Sequence, residues 1–392
     1  MGASAAVSEP RRAFHDDPLL TRAYDLVAIS SVSRAEATIA SHVEGQLRSL
    51  PQLSVDRVGD NVVARSQFGR KRRVLLAGHL DTVAPFDSKG PHLEGDSLRG
   101  LGAVDMKGGL SVMLQLATEV ERMSVDLTFV FYACEEIERG ASGLGTLIRE
   151  RPDLLEADVA VLAEPTGCVV EAGCQGTMRA VATVVGRRAH TARPYKGINA
   201  VHRLGTLLRA LADYQPRELI LDGCVYAEQL QAVGVSGGVA GNVVPDEAEL
   251  TVNFRFAPDR DVAQAEEELR GMLAGALDEG LGDRLEVVDA APGAPPVLDD
   301  PVLALLLRES GQSPRAKVGW TDVATFFSLG VPATNFGPGD PLLAHTADEH
   351  VSAGELETAC DVLRRLLSEP ELASGTAARK EPGGGIRGDE GR

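Results

Sequence analysis

Basic residues, paired cysteines, long apolar runs and aromatic rings are all scarce in this chain. Lys and Arg number 39 against 57 Asp and Glu, a net charge of −18. That balance argues against nucleic acid as a partner, and it makes local arginines essential if a substrate is anionic. The five cysteines, Cys134, Cys168, Cys174, Cys224 and Cys360, are an odd number with no Cys-x-x-Cys spacing. Cys168 and Cys174 are close enough to suggest a disulfide, but reduced thiols in the cytosol are the expectation. No apolar stretch is long enough to span a bilayer, and no secretory apolar region is found. Met1-Gly2 is not followed by Ser or Thr at position 6, so no myristoylation signal is read. The chain is therefore expected to be cytoplasmic. No internal repeat is visible, and Trp320 is the single tryptophan.

What is present fits a globular enzyme. A length of 392 residues suits two domains, and 44% hydrophobic residues is an ordinary fraction. The run Leu127–Ala133 reads as a buried strand, and it ends on Glu135-Glu136. Side chains alternate along a strand, so neighbouring carboxylates at its end can hold different tasks. Taken alone, such a pair is better read as two solvated loop acids. Other polar residues stand at equivalent places, however. Val74–Ala77 runs into Gly78-His79-Leu80-Asp81, and Asp158–Leu162 into Glu164-Pro165. Gly330–Thr334 leads through Gly337-Pro-Gly339 to His345. Between them, Arg99–Gly109 carries Asp105 on a glycine-rich turn that opens a helix, with Leu110, Met113, Leu114, Ala117 and Val120 as its core face. Ligands in open α/β sheets bind beyond the carboxyl ends of the strands.

Each piece is weak alone; the set is not. Two His and three carboxylates are too many for one tetrahedral zinc. They fit two zincs about 3.5–4 Å apart, bridged by a carboxylate and a water. A ligating His usually gives its second ring N–H to a carboxylate, a role for which Asp81 is placed.

At these residues the chain resembles the two-zinc aminoacylase/glutamate-carboxypeptidase family of amidohydrolases. The resemblance rests on Gly78–Val83, Gly102–Gly108, Glu135-Glu136, Glu164-Pro165 and Ala344-His345, and runs from about Leu19 to Leu367. It implies that His79 and Glu164 hold one zinc, that Glu136 and His345 hold the other, and that Asp105 bridges them. Cobalt or manganese is an alternative for the second site. It further implies Glu135 as general base towards a zinc-activated water, Asp81 as the group orienting His79, and a cis peptide after Asp105. Glu171–Thr177, Gly237–Asn242 and Lys317–Asp322 are most similar to actinobacterial members that hydrolyse N-succinyl-LL-2,6-diaminopimelate to succinate and LL-2,6-diaminopimelate, a step of lysine synthesis. Deacylation of another N-acyl amino acid, such as acetylornithine, is the alternative, with dipeptidase or carboxypeptidase activity beyond it. Proteobacterial members carry Gly-Thr-Ser-Asp where this chain has Gly319-Trp320-Thr321-Asp322, and an arginine near Gln175. Trp320 is thus open to two readings, packing on the acyl chain or packing in the core.

The segment 175–291 follows another pattern. A β-branched run at Val181–Val185 precedes a helix with Ile198, Val201, Leu204, Leu208 and Leu211 on one face. A strand near Leu230–Val235 is followed by alternation over Glu249–Phe256 and a helix from about Val262 to Leu277. This is the order of an α+β, ferredoxin-like sandwich. It closes on the linker-like Asp289–Pro296. The expected division is a discontinuous α/β zinc domain (14–174 and 292–370), an inserted unit (175–291), and a disordered tail (373–392), with the first 18 or so residues frayed. By resemblance the insert is a lid and a homodimer surface. Three of its residues have two readings each. His190 is a turn histidine, or an oxyanion donor reaching the partner's site. Arg255 is a solvent-facing base, or a fork on a substrate carboxylate. Asn242 is a turn residue, or an amide contact to substrate; Thr321, outside the insert, joins the substrate group. Ser33-x-x-Glu36 reads as a capping box opening a helix to about Leu47.

Overall fold

The structure is a computed structural model and describes residues 17–85 and 90–374. The start of the chain and the tail beyond 374 lie outside the described residues. An eight-stranded sheet organises the molecule. Its order is Leu53–Val58, Asn61–Ser66, Asp126–Tyr132, Arg73–His79, Val159–Leu162, Ala333–Asn335, Glu171–Ala172 and Arg315–Ala316. The four strands from Asp126–Tyr132 to Ala333–Asn335 run parallel, so their carboxyl ends share one edge.

Both faces of this sheet are covered, as a parallel sheet requires. Val74, Leu76, Leu127, Phe129, Val159 and Val161 point to one face, into a core built with the helices Pro18–Val27, Ala37–Arg48, Gly108–Ala117, Pro301–Ser310 and Ala353–Ser368. Their alternating neighbours Leu75, Ala77, Val130, Ala160 and Leu162 meet Gly143–Glu150 and Val323–Ser328 on the other. The helix Gly108–Ala117 is buried almost all round rather than on one stripe, with Gln115 alone half-exposed. Packing between sheet and outer helices explains why its surface is so uniformly apolar.

A four-stranded antiparallel sheet lies wholly between residues 176 and 291. Its order is Gln229–Gly237, Glu247–Phe256, Gly176–Val185 and Arg284–Ala291. With helices Ala200–Ala212 and Val262–Leu273 this makes a β-α-β-β-α-β sandwich. Leu250, Val252, Phe254 and Phe256 are buried under the helices, while Thr251, Asn253 and Arg255 turn to the opposite face. Four details depart from the sequence reading. The helix Ala200–Ala212 buries Ala200, Leu204, Leu207 and Leu211, leaving Val201 and Leu208 38% and 39% exposed. The second helix ends at Leu273, and a hairpin, Glu218–Leu221 with Cys224–Ala227, precedes the edge strand. Asp289–Ala291 belongs to the last strand, not to a linker.

The two sheets connect where Cys174 and Ala294 exchange backbone hydrogen bonds of 2.9 and 3.0 Å. All five cysteines are free thiols. Among the described residues no helix is long and apolar enough to cross a membrane.

Candidate metal centre

The parallel strands deliver the polar set to one edge. His79 is the last residue of its strand, Glu135 and Glu136 follow Tyr132, and Glu164 follows Leu162. Two glycines place Glu164: a Cβ on Gly109 would lie 2.1 Å from the Ala163 carbonyl, and one on Gly337 would lie 2.6 Å from the carbonyls of Ala163 and Glu164. The Ala163–Glu164 backbone is thus clasped from two sides. His345 and Cys134 both hold left-handed backbone, at φ 61° and 59°, a conformation that side chains other than glycine adopt mainly where the surroundings impose it. The Asp105–Met106 peptide is cis.

Asp105 is the centre of the arrangement. Its Oδ1 lies 3.1 Å from His79 Nε2, and its Oδ2 lies 3.5 Å from His345 Nε2. His345 Nε2 is also 2.8 Å from Glu136 Oε1. Ligand atoms of His79, Asp105 and Glu136 all fall within 4.8 Å of one another. His79 Nδ1 faces the Asp81 carbonyl at 3.0 Å and the Asp81 carboxylate at 3.5 Å, which leaves Nε2 directed at Asp105. The Tyr132 and His79 rings meet edge to face, their centres 6.4 Å apart.

Asp81 has a second task that sequence reasoning missed. Its carboxylate accepts the backbone N–H groups of Glu135 and Glu136 at 3.0 and 3.1 Å, and the Ser33 hydroxyl at 2.7 Å. Glu36 accepts the Cys134 N–H at 3.0 Å and is 1% exposed. The apparent capping box is therefore taken up by the site: Ser33 and Glu36 hold the glutamate loop, and no side chain caps the helix Ala37–Arg48. The only available signal was the placement of two polar residues just ahead of an apolar helix, and capping explains that equally well.

The charges are unbalanced without cations. Burial alone would depress the His79 imidazolium, yet the Asp105 and Asp81 carboxylates outweigh it and hold its pKa well above the ordinary value. Hydrogen bonds to Asp105 and Glu136 raise His345 to about 10. Burial, then the nearby Asp105, pushes Glu164 up to about 7. Burial and the carboxylates of Glu164, Asp322 and Glu136 push Glu135 well above the carboxylate range, against the opposing His79. Crowded carboxylates and imidazoles of this kind suit divalent cations of the zinc class. The donors present fit two of them, because the oxygens of Asp105 already face different histidines.

The remaining sequence candidates make no hydrogen bond to the cluster among the described residues. His190 is exposed on the strand Ala189–His190, whose partner is Val243–Val244, and its Nδ1 accepts the Ala192 N–H at 3.0 Å. Asn242, also exposed, accepts the Thr191 N–H through its carbonyl at 3.1 Å. These two stand side by side, and no hydrogen bond among the described residues joins either to the metal cluster. The Arg255 guanidinium has no carboxylate within ion-pair distance among the described residues; its Nε donates to Asn253 at 3.1 Å, and burial lowers its pKa. Thr321 is 4% exposed and donates to Asn335 Oδ1 at 3.0 Å, so its hydroxyl proton is already committed. Trp320 packs, partly buried, against the second core: its Nε1 donates to the Pro292 carbonyl at 3.1 Å, and the Arg139 guanidinium lies 5.2 Å from its ring centre. Lys317, which sequence reasoning passed over, is half-buried with Nζ 3.0 Å from Glu171 Oε2.

Comparisons with known proteins point to one family. The family model described as peptidase family M20/M25/M40 matches residues 75–369. A protein of Mycobacterium tuberculosis, provisionally named a succinyl-diaminopimelate desuccinylase, is 50% identical over 353 residues, covering 90% of this chain and 98% of its own. The succinyl-diaminopimelate desuccinylase of Corynebacterium glutamicum is 43% identical over 351 residues, covering 88% and 94%. Among solved structures, a tripeptidase from Staphylococcus aureus superposes with a TM-score of 0.74 at 21% identity, over 91% of this chain and 98% of its own.

Proposed function

The chain belongs to peptidase family M20/M25/M40, and from that premise we propose that it hydrolyses N-succinyl-LL-2,6-diaminopimelate to succinate and LL-2,6-diaminopimelate, in the cytoplasm, as a step of lysine synthesis. The observation that carries the chemistry is the division of the Asp105 oxygens between His79 and His345. The substrate rests on two relatives of matching length that bear this name.

In this reading His79 and Glu164 hold one zinc, Glu136 and His345 the other, and Asp105 both. When bound, the two ions supply Lewis acidity and a water whose pKa is lowered towards ~7. Glu135 is the base. Its carboxylate makes no hydrogen bond to a described residue, which leaves its oxygens free to face a water. It accepts a proton from the attacking water and passes it to the departing amine. Asp81 acts through others, fixing the His79 ring and the glutamate loop.

The unit 175–291 is read as a lid and dimer surface on the catalytic unit 14–174 and 292–370. Its edge strand Gln229–Gly237 pairs on one side only among the described residues, and exposes Val233 and Val235, each 59%. Val201 lies beside Gly237, so the exposed Val201 and Leu208 extend this apolar surface. A free apolar edge invites a second copy. In the homodimer, His190 and Asn242 of one chain serve the other's site, His190 as donor to the developing oxyanion. Arg255, half-buried and without a carboxylate partner among the described residues, grips a carboxylate of the substrate; Thr321 supports that pocket through its backbone.

Purified protein loaded with zinc should turn over N-succinyl-LL-2,6-diaminopimelate faster than N-acetylornithine or a dipeptide, measured as released amine. Faster turnover of acetylornithine would overturn the substrate assignment.

A further inference from the structure

Glu349 is a buried carboxylate, 4% exposed, four residues after His345. It binds no cation in the reading above. Instead it accepts three backbone N–H groups: Gly102 on Oε2 at 3.0 Å, and Val104 and Asp105 on Oε1 at 3.0 and 3.1 Å. Its own carbonyl accepts the Gly100 N–H at 3.2 Å. The next residues, His350–Ser352, pair antiparallel with Ser97–Arg99, with His350 opposite Arg99. The segment that follows His345 is thus zipped along the segment that precedes Asp105, and the Glu349 carboxylate closes the zip.

A turn whose N–H groups converge is an anion-binding concavity. Here the anion is supplied by the chain itself. Gly102 holds left-handed backbone at φ 79°, and a Cβ there would lie 2.6 Å from Thr82 Cγ2, so the turn has little room to adjust. Behind it, Lys107 is 2% exposed and donates to the Ile29 carbonyl at 2.7 Å. Without Glu349, three buried donors would lose their acceptor together.

We propose that Glu349 is a positioning residue for metal binding, fixing the spacing of Asp105 and His345 so that the two ligands meet the cations preassembled. A plain packing role would not place acceptors on the N–H of a ligand and on its neighbours. The proposal rests on the metal reading given above.

The test compares Glu349→Gln and Glu349→Ala with wild type. Gln keeps an acceptor for Val104 and Asp105 but sets an amide donor against Gly102; Ala removes all three bonds. Zinc affinity is measured by competition with a chromophoric chelator, and the visible spectrum of the cobalt-substituted protein reports ligand geometry. Thermal unfolding of the metal-free proteins separates folding from loading. Weaker binding is expected, by about 10–100-fold for Ala and less for Gln, with an altered cobalt spectrum. Folded variants with wild-type affinity and spectrum would overturn the proposal. So would failure of both variants to fold, which would make Glu349 a structural residue. Wild type taking up fewer than two ions per chain would defeat the metal reading first, and this proposal with it.

Discussion

Glu135 and Glu136 are chemically identical neighbours with different surroundings. Glu136 meets His345 at 2.8 Å, whereas the Glu135 carboxylate is surrounded by burial and like charge. Their loss should therefore differ. Glu136→Ala should lower the bound metal per chain, measured by elemental analysis after dialysis. Glu135→Ala should retain both ions and lose turnover by about 10²–10⁴-fold, the usual worth of a general base. Equal metal loss in both variants would remove the division of labour. The pair itself was legible in the sequence, because it ends an apolar run and its partners end others. The supports were not legible. Glu36 and Glu349 act through backbone N–H groups at distant positions, and Ser33 through the Asp81 carboxylate; nothing local to them records that.

At the level of elements, close backbone approach positions the site. The helix Gly108–Ala117 starts against Ala163, where Gly109 leaves no space for a Cβ. Gly109→Ala should cost about 1–3 kcal/mol, typical of overpacking, and should weaken metal binding through displacement of Glu164; calorimetry with and without zinc would measure both. In the smaller sandwich, Asp283 accepts a two-pronged bond from Arg203 at 2.8 and 2.6 Å, and the N–H groups of Val185 and Asp278. Burial opposes the charged form, but these partners outweigh it and lower the Asp283 pKa. A depressed carboxylate stabilises the fold above its unfolded pKa, near ~3.9, and loses that contribution as pH falls through the lower folded value. Asp283→Asn should therefore destabilise by about 3 kcal/mol at pH 7. The gap to wild type in thermal unfolding should narrow on acidification below about pH 4. Strand alternation was read correctly because period-2 burial is written in Glu247–Phe256, whereas the hairpin and the closing strand Arg284–Ala291 were not read. The helix face at Ala200–Ala212 was rotated because its apolar residues outnumber the buried positions. The excess, Val201 and Leu208, faces outward.

For the whole molecule, that excess bears on assembly. Val235→Lys places a charge on the free edge strand, and it should convert a dimer to a monomer in light scattering. If His190 serves the neighbouring site, the monomer should also lose turnover while keeping its metal. An active monomer would sink the shared-site reading. A net charge of −18 gives an anionic substrate no general attraction, so specificity must come from a few placed cations, of which Arg255 lacks a carboxylate partner among the described residues.

The order of His79, Asp105, Glu135, Glu136, Glu164 and His345, and the arrival of most of them at strand ends, could be read from apolar runs and the residues that stop them. A separate α+β pattern over 175–291 could also be read, because the periodicity changes there. The tertiary structure decided what each polar residue answers to. It set the Asp105 oxygens toward different histidines, turned a capping signature into support for the glutamate loop, and gave Glu349 three donors from a turn more than 240 residues away. A side chain's identity is local, but a hydrogen-bond partner is fixed only when distant backbone is brought alongside it.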